Sequence, residues 1–380
     1  MKTNAKILVT GAKGFIGKNL ITELTNRGYR DLYECDTDTT EQELKGYLSD
    51  CDFVFHLAGV NRPKEETEFT QGNRNFTETV LNLLKEADNA CPILLSSSAQ
   101  AALDNPYGIS KREAEGLVRT YGEKTGAPVY IYRLPGVFGK WCRPNYNSVV
   151  ATFCHQIARG LPITVNDPER ELELVYIDDV VRAFINTMEG HPVIDGDFCR
   201  VAKTHKILLK DLAETIETFR DSREKYLVPD LSTETKKDLY STYLSYLPED
   251  DFAYSLQMKC DERGSFTEFL KSRTCGQVSV NVAKPGITKG NHWHHSKNEK
   301  FLVVRGEACI RFRKIGTSEV LSYNVSGEEL TVVDIPTGYV HSITNVGDED
   351  LVTVMWANEV FDTDKPDTFY EAVLPEEERS

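Results

Sequence analysis

The chain has 380 residues, enough for two hydrophobic cores, with 40% hydrophobic residues and a formal net charge of -15. No run of about 18 apolar residues exists, so a membrane-spanning helix is excluded. The acidic balance argues against nucleic acid as main partner, and an anionic substrate must be held by a local basic site. Nine cysteines, odd in number and never spaced C-x-x-C, read as reduced thiols of a cytoplasmic protein rather than as disulfides.

The first strand is expected at Lys6–Thr10, directly at the start, with no secretory leader before it. Further short β-branched or aromatic runs follow at Leu32–Tyr33, Phe53–Leu57, Ile93–Leu95 and Val129–Tyr132. Helical periods separate them, such as Ile16, Leu20 and Leu24 closed by Gly28. Alternating β and α predicts a doubly wound parallel sheet covered by helices on both faces. From about Phe252 the texture becomes alternating strands (Val278–Val282, Phe301–Val304, Ala308–Phe312, Val352–Trp356) with glycine turns, the pattern of a small β-barrel or jelly roll. The segment Leu231–Asp251 between them reads as a short helix plus connector, so domains of 1–247 and 248–380 are expected. Pro375–Glu378 reads as a solvated acidic tail.

Thr10-Gly11-Ala12-Lys13-Gly14-Phe15-Ile16-Gly17 follows a strand and opens a helix, where glycines permit a tight turn and close approach of a pyrophosphate to backbone N–H groups. Tyr107 and Lys111 stand four apart, on one helix face, and Ser96-Ser97-Ser98 ends the fourth strand just upstream. Together with His56-Leu57-Ala58-Gly59, Arg133–Gly139 and Val175–Asp179, this constellation resembles the extended short-chain dehydrogenase/reductases. The resemblance implies a Rossmann-type domain in which Tyr107 donates a proton to a reduced ketone. Lys111 lowers its pKa and holds the nicotinamide ribose, and Ser98, with Ser97 second, orients the carbonyl. The glycine turn, Leu57, Ala58 and Gly59 would line the cofactor. Asp36, at the end of the second strand, favours NADH through a ribose hydroxyl, whereas Lys13 favours NADPH through a 2′-phosphate; NADPH is the reading taken. Arg143 and Asn147 lie where that family binds the substrate nucleotide, and serve a diphosphate there or belong to a generic polar loop.

Near the C-terminus, His292 and His294 on one side of an extended segment, with Glu299 and the distant His341, form a four-donor set suited to a divalent transition metal, zinc first. The pattern from Gly286 to Gly306 and from Pro336 to Asn345 resembles the cupin signature, with Leu330 replacing the leading glycine of its second half. Asp261-Glu-Arg263-Gly264-Ser-Phe266-Thr-Glu268-Phe269 resembles a segment of the dTDP-4-keto-6-deoxyhexose 3,5-epimerases. In those enzymes, which use no metal, the histidine matching His292 is the catalytic base. The two roles compete for one lone pair, and the full ligand set assigns His292 to the metal. By the same resemblance Lys300 would oppose a developing enolate. Strand alternation points Lys300 away from the side of Glu299, and a local bulge or a substrate bound between barrel and loop would bring it back, so Lys300 is kept as a catalytic residue on its motif position.

A reductase joined to a cupin epimerase resembles the bifunctional capsule-synthesis enzymes of the CapF/WbjC type. That resemblance implies action on UDP-2-acetamido-2,6-dideoxy-β-L-arabino-hexos-4-ulose, a UDP-linked 4-keto sugar. Carbon 3 would be epimerised in the cupin and carbon 4 then reduced to UDP-2-acetamido-2,6-dideoxy-L-talose, on the route to UDP-N-acetyl-L-fucosamine. A homodimer is expected, since cupins commonly dimerise. The alternative is a reductase alone, with a structural metal and a β-domain used for dimerisation.

Overall fold

The structure is a computed structural model, describing residues 1–62, 65 and 67–374; the acidic tail read at Pro375–Glu378 lies outside the described residues. The chain divides into two compact units, 1–217 with 231–248, and 218–230 with 249–380.

The strands of the first unit are β1 (Ile7–Thr10), β2 (Leu32–Cys35), β3 (Phe53–His56), β4 (Ile93–Ser98), β5 (Val129–Leu134), β6 (Gly136–Phe138), β7 (Glu171–Tyr176), β8 (Ile194–Asp195), β9 (Phe198–Cys199) and β10 (His205–Leu208). Seven of them form one sheet in the order β2-β1-β3-β4-β5-β9-β8, parallel except for the β8–β9 hairpin. Successive residues feed two cores. Ile7, Val9, Phe53 and Phe55 pack with Leu20 and Leu24 of the helix Phe15–Asn26 and with Phe184 of the helix Ile177–Met188. Leu8, Val54 and Ile93 pack on the other face with Leu44, Leu84 and Val118 from the helices Glu41–Asp50, Phe76–Glu86 and Pro106–Thr125. Burial on both faces is why these strands read as nearly continuous apolar runs. β2 lies on one side of β1 and β3 on the other, so the strand order reverses at the carboxyl end of β1, where open α/β sheets form a crevice.

The second unit contains β11 (Met258–Asp261), β12 (Gly264–Ser272), β13 (Gly276–Ala283), β14 (Thr288–Trp293), β15 (Glu299–Arg305), β16 (Glu307–Lys314), β17 (Val320–Ser326), β18 (Val332–Ile335), β19 (Tyr339–Asn345), β20 (Leu351–Ala357) and β21 (Phe369–Tyr370). They form two antiparallel sheets, β11-β12-β13-β20-β15-β18 and β17-β16-β19-β14-β21. Phe301, Val303, Val333 and Leu351 of the first sheet share a core with Ile310, Phe312 and Ile343 of the second. The single boundary expected near residue 248 needs one correction: 218–230 belongs with the second unit. Tyr226 O accepts from Lys271 N and Val228 N donates to Lys271 O, both at 2.7 Å, which adds this stretch to β12 as a short parallel bridge.

No described helix is long and apolar enough to cross a membrane. All nine cysteines are free thiols, seven of them buried.

Candidate functional site

The glycine turn joins β1 to the helix Phe15–Asn26 at the strand-order reversal. Gly11 has φ +69°, and a Cβ there would stand 2.9 Å from Ala58 N. A Cβ on Gly17 would fall 2.2 Å from Gly11 O, so only glycine lets helix and turn close on each other. Gly14 takes the N-cap position without a side-chain cap, which leaves the first-turn amides after Phe15 and Ile16 without intrahelical acceptors.

Below the turn a buried chain of hydrogen bonds joins β1 to β3. Leu57 N and Ala58 N donate to Thr10 Oγ1, at 3.1 and 3.2 Å. Thr10 Oγ1 lies 2.8 Å from His56 Nδ1, and His56 Nε2 lies 2.9 Å from Thr77 Oγ1, which itself donates to Asn73 O. That order makes His56 a neutral Nε2–H tautomer, and burial, then the charge of Lys111, holds its pKa down at about 3.

Asp36 and Lys13 meet through the backbone. Asp36 accepts from Lys13 N at 2.7 Å and Thr37 N at 2.8 Å, so its carboxylate caps the turn. Lys13 Nζ pairs with Asp38 at 2.6 Å, a contact exposed on both sides.

The helix Pro106–Thr125 starts behind the N-cap Asn105, which accepts from Gly108 N, with Pro106 in its first turn. Its spacing brings Tyr107, Lys111 and Glu115 to the end of β4. Burial raises the Tyr107 phenol, opposed by a hydrogen bond with the Ser98 side chain. Lys111 is buried, donates to Ser96 O at 3.1 Å, and borders Gly59, where a Cβ would sit 2.9 Å from Nζ. Burial lowers its pKa to about 8, with Glu115 opposing. Ser97 does not share this face. Its hydroxyl donates to Glu115 at 2.5 Å, and Glu115 also holds Arg133 through two bonds of 2.9 and 2.7 Å. Arg143 and Asn147 lie exposed in the loop after β6. The Arg143 guanidinium stands 5.3 Å from the Tyr146 ring.

In the second unit, donor atoms of His292, His294, Glu299 and His341 all lie within 4.8 Å of one another. His292 and His341 are cross-strand partners on β14 and β19, after a bulge at Asn291 (φ +58°), and Glu299 enters from β15 of the other sheet. His294 Nδ1 lies 2.5 Å from Asp367 O, and a carbonyl only accepts, so Nδ1 carries the proton and Nε2 is a lone pair. That lone pair faces Glu299 Oε2 at 3.3 Å, and His341 Nε2 lies 3.2 Å from the same oxygen. His341 is 1% exposed, and neither ring nitrogen has a partner in hydrogen-bond geometry. Burial works to raise the Glu299 carboxyl, but the two imidazoles, His294 first, hold it well below the usual range. Burial, then His341, lowers His292 to about 3. Three imidazoles and a carboxylate converging within 4.8 Å, with His294 Nε2 left as a lone pair, are a donor set suited to a cation.

Lys300, the lysine expected to face an enolate, lies on the opposite side of its strand from Glu299. It alternates away from Glu299 on β15 and pairs with Asp334 across β18, with its side chain 49% exposed. Three further residues escaped sequence reasoning. Glu115 could have been found one helical turn after Lys111. Lys297 lies inside the histidine–glutamate interval, and Asp367, 68 positions beyond Glu299, carries no local signal.

Residues 7–194 match the NAD dependent epimerase/dehydratase family, and residues 259–369 match the polysaccharide biosynthesis C-terminal domain. The UDP-2-acetamido-2,6-beta-L-arabino-hexul-4-ose reductase of Pseudomonas aeruginosa is 46% identical over 364 residues, covering 96% of this chain and 98% of that protein. The crystal structure of the capsular polysaccharide assembling protein CapF from Staphylococcus aureus is 52% identical, covers 97% of this chain and 100% of its own, and superposes with a TM-score of 0.92. A structure of CapF with the inhibitor 3-isopropenyl-tropolone is 48% identical over the same shares, with a TM-score of 0.88. The chain belongs to the family of CapF and the P. aeruginosa reductase, which joins an epimerase/dehydratase-type unit to a polysaccharide-biosynthesis C-terminal unit.

Proposed function

We propose that this chain is a bifunctional nucleotide-sugar enzyme of capsular polysaccharide synthesis. The first unit reduces the carbon 4 ketone of a UDP-linked 4-keto-6-deoxy amino sugar with NADPH. The second, a cupin jelly roll, epimerises carbon 3 of the same sugar beforehand. The observation that carries the reading is the buried ammonium of Lys111, one helical turn after Tyr107 at the end of β4, donating to Ser96 O at 3.1 Å. The reductase name of a relative matching almost the whole chain supports the same substrate class, UDP-2-acetamido-2,6-dideoxy-β-L-arabino-hexos-4-ulose.

Reduced nicotinamide supplies the hydride. As the carbonyl oxygen gains negative charge, Tyr107 gives it a proton, Ser98 donates a hydrogen bond to it, and the neighbouring Lys111 ammonium favours the phenolate left behind. The glycine turn and the amides after Gly14 would hold the pyrophosphate, and Leu57, Ala58 and Gly59 would line the cofactor. The exposed pairing of Lys13 with Asp38 is weak enough to yield to a 2′-phosphate. Arg143 and Asn147 take the substrate diphosphate.

The facing acceptors of His294, His341 and Glu299 fit a divalent metal, zinc first, with His292 as fourth ligand. Such an ion would polarise an oxygen brought to it and tie the two sheets together. A hydrogen beside a ketone is acidic enough to exchange, so epimerisation must precede the reduction that removes the ketone.

The test is NMR of the UDP-sugar in deuterated water, with and without NADPH. Deuterium at carbon 3 without cofactor and the reduced, epimerised product with it are expected. Reduction without any carbon 3 exchange would leave a reductase whose β unit serves a structural metal and dimerisation.

A further inference from the structure

Besides the histidine–glutamate cluster, one other group of donors converges among the described residues. Donor atoms of Asp179, His205 and Asp238 lie within 4.8 Å of one another, all in the first unit. Three elements deliver them. Asp179 sits in the first turn of the helix Ile177–Met188, directly after β7. His205 opens β10, where it pairs in register with Leu174 of β7. Asp238 comes from the helix Glu234–Leu244, which Thr233 caps.

The imidazole is the informative member. Its side chain is 12% exposed, and Nδ1 lies 2.8 Å from Thr235 Oγ1. Nε2 is sealed from solvent without a hydrogen-bond partner, since Asp238 Oδ2 stands 3.7 Å away, beyond hydrogen-bond reach. Buried polar atoms are rarely left unpaired. Thr235 and Asp238 are three apart on one helix face, so the helix that orients the ring also supplies a carboxylate. Asp179 gives Oδ1 to Arg182 at 2.5 Å, which leaves its second oxygen outside that pair. Burial, first, raises the Asp238 carboxyl to about 6, and the nearby Asp179 and Glu234 add to the rise against His205.

We propose that Asp179, His205 and Asp238 bind a divalent transition-metal ion, zinc first, at a site separate from the histidine–glutamate cluster. One imidazole nitrogen and two carboxylate oxygens are an N/O set of that class, with water completing the coordination. Asp179 also lines a cavity of about 100 Å³ with Arg182 and Lys203, room for such water. The role of the ion is structural. The chain leaves the first unit at 218–230 and returns to it at 231–248, and the ion fastens the returning helix to β10 and to the helix Ile177–Met188. The residue before Asp179 is Asp178, which holds Lys140 at 2.6 Å, at the start of the loop that carries Arg143 and Asn147.

The experiment dialyses full-length wild type, His205→Gln and Asp238→Asn against buffered free zinc and measures zinc per chain by elemental analysis. Each variant should hold about one equivalent less than wild type, as loss of a single site requires. The difference is what is read, so it stands whether or not the β unit holds an ion, and His341→Ala should keep this equivalent. Equal zinc in wild type and both variants overturns the site. A second measurement needs no variant that fails to fold. Added Mn²⁺ should broaden the imidazole NMR signals of His205 in wild type well before those of the exposed His191. A His205 signal no more affected than that of His191, as expected of an imidazolium held between two carboxylates, overturns the site as well.

Discussion

Glu115 stands one helical turn after Lys111, both nearly sealed from solvent, and its carboxylate gathers Ser97 at 2.5 Å and Arg133 at 2.7 Å. The pairing does two things at once. It keeps a negative charge beside an ammonium that burial would otherwise neutralise, and it withdraws Ser97 from the face where Ser98 meets Tyr107.

Replacing Tyr107 by Phe removes the proposed proton donor and nothing from the β unit. Reduction should fall by roughly 10²–10⁴-fold, the usual span of general acid catalysis, while carbon 3 exchange continues. NADPH oxidation and deuterium incorporation, measured on one preparation, check both halves. A variant reducing at the wild-type rate would remove Tyr107 from the mechanism.

Glu115→Gln should move the pH profile of reduction. Burial lowers Lys111 to about 8, so its charged form is complete at lower pH and is lost as pH rises through that value. Glu115 favours the charged form, so its removal shifts the alkaline limb of kcat/KM to lower pH, by about one unit for ~1.4 kcal/mol of lost interaction. An unmoved limb with reduced activity would mean that Glu115 acts only through Arg133 and Ser97.

Elemental analysis should find about one divalent metal per chain, as a single four-ligand site implies. His341→Ala removes a proposed ligand whose ring nitrogens are buried without hydrogen-bond partners, so metal content and the thermal stability of the β unit should drop together. Full occupancy in that variant would strike His341 from the ligand set.

Lys300→Met should leave carbon 3 exchange and metal content unchanged. Its pairing with Asp334 is between half-exposed and exposed side chains, a class of contact worth about 0–1 kcal/mol. Exchange lost in this variant would show that the substrate reaches around β15 to the outer face.

Periodicity and spacing are local properties, and they were legible without any coordinates. Two-faced burial wrote the parallel sheet into continuous apolar runs such as Ile7–Thr10 and Phe53–His56, and helical spacing put Tyr107 and Lys111 on one face. The alternation that separates Lys300 from Glu299 was equally readable, although likeness to another motif pulled the other way. What only the tertiary structure decided are relationships between chain segments that packing brings together. Ser97 and Ser98 are adjacent and chemically identical, yet opposite faces of β4 give one to Glu115 and the other to Tyr107. Residues 218–230 join the second unit because β12 offers them backbone partners. Lys297 is buried by a clamp from Asp367 and Thr368, about seventy residues away, and no pattern of spacing carries a contact that depends on where two distant strands end.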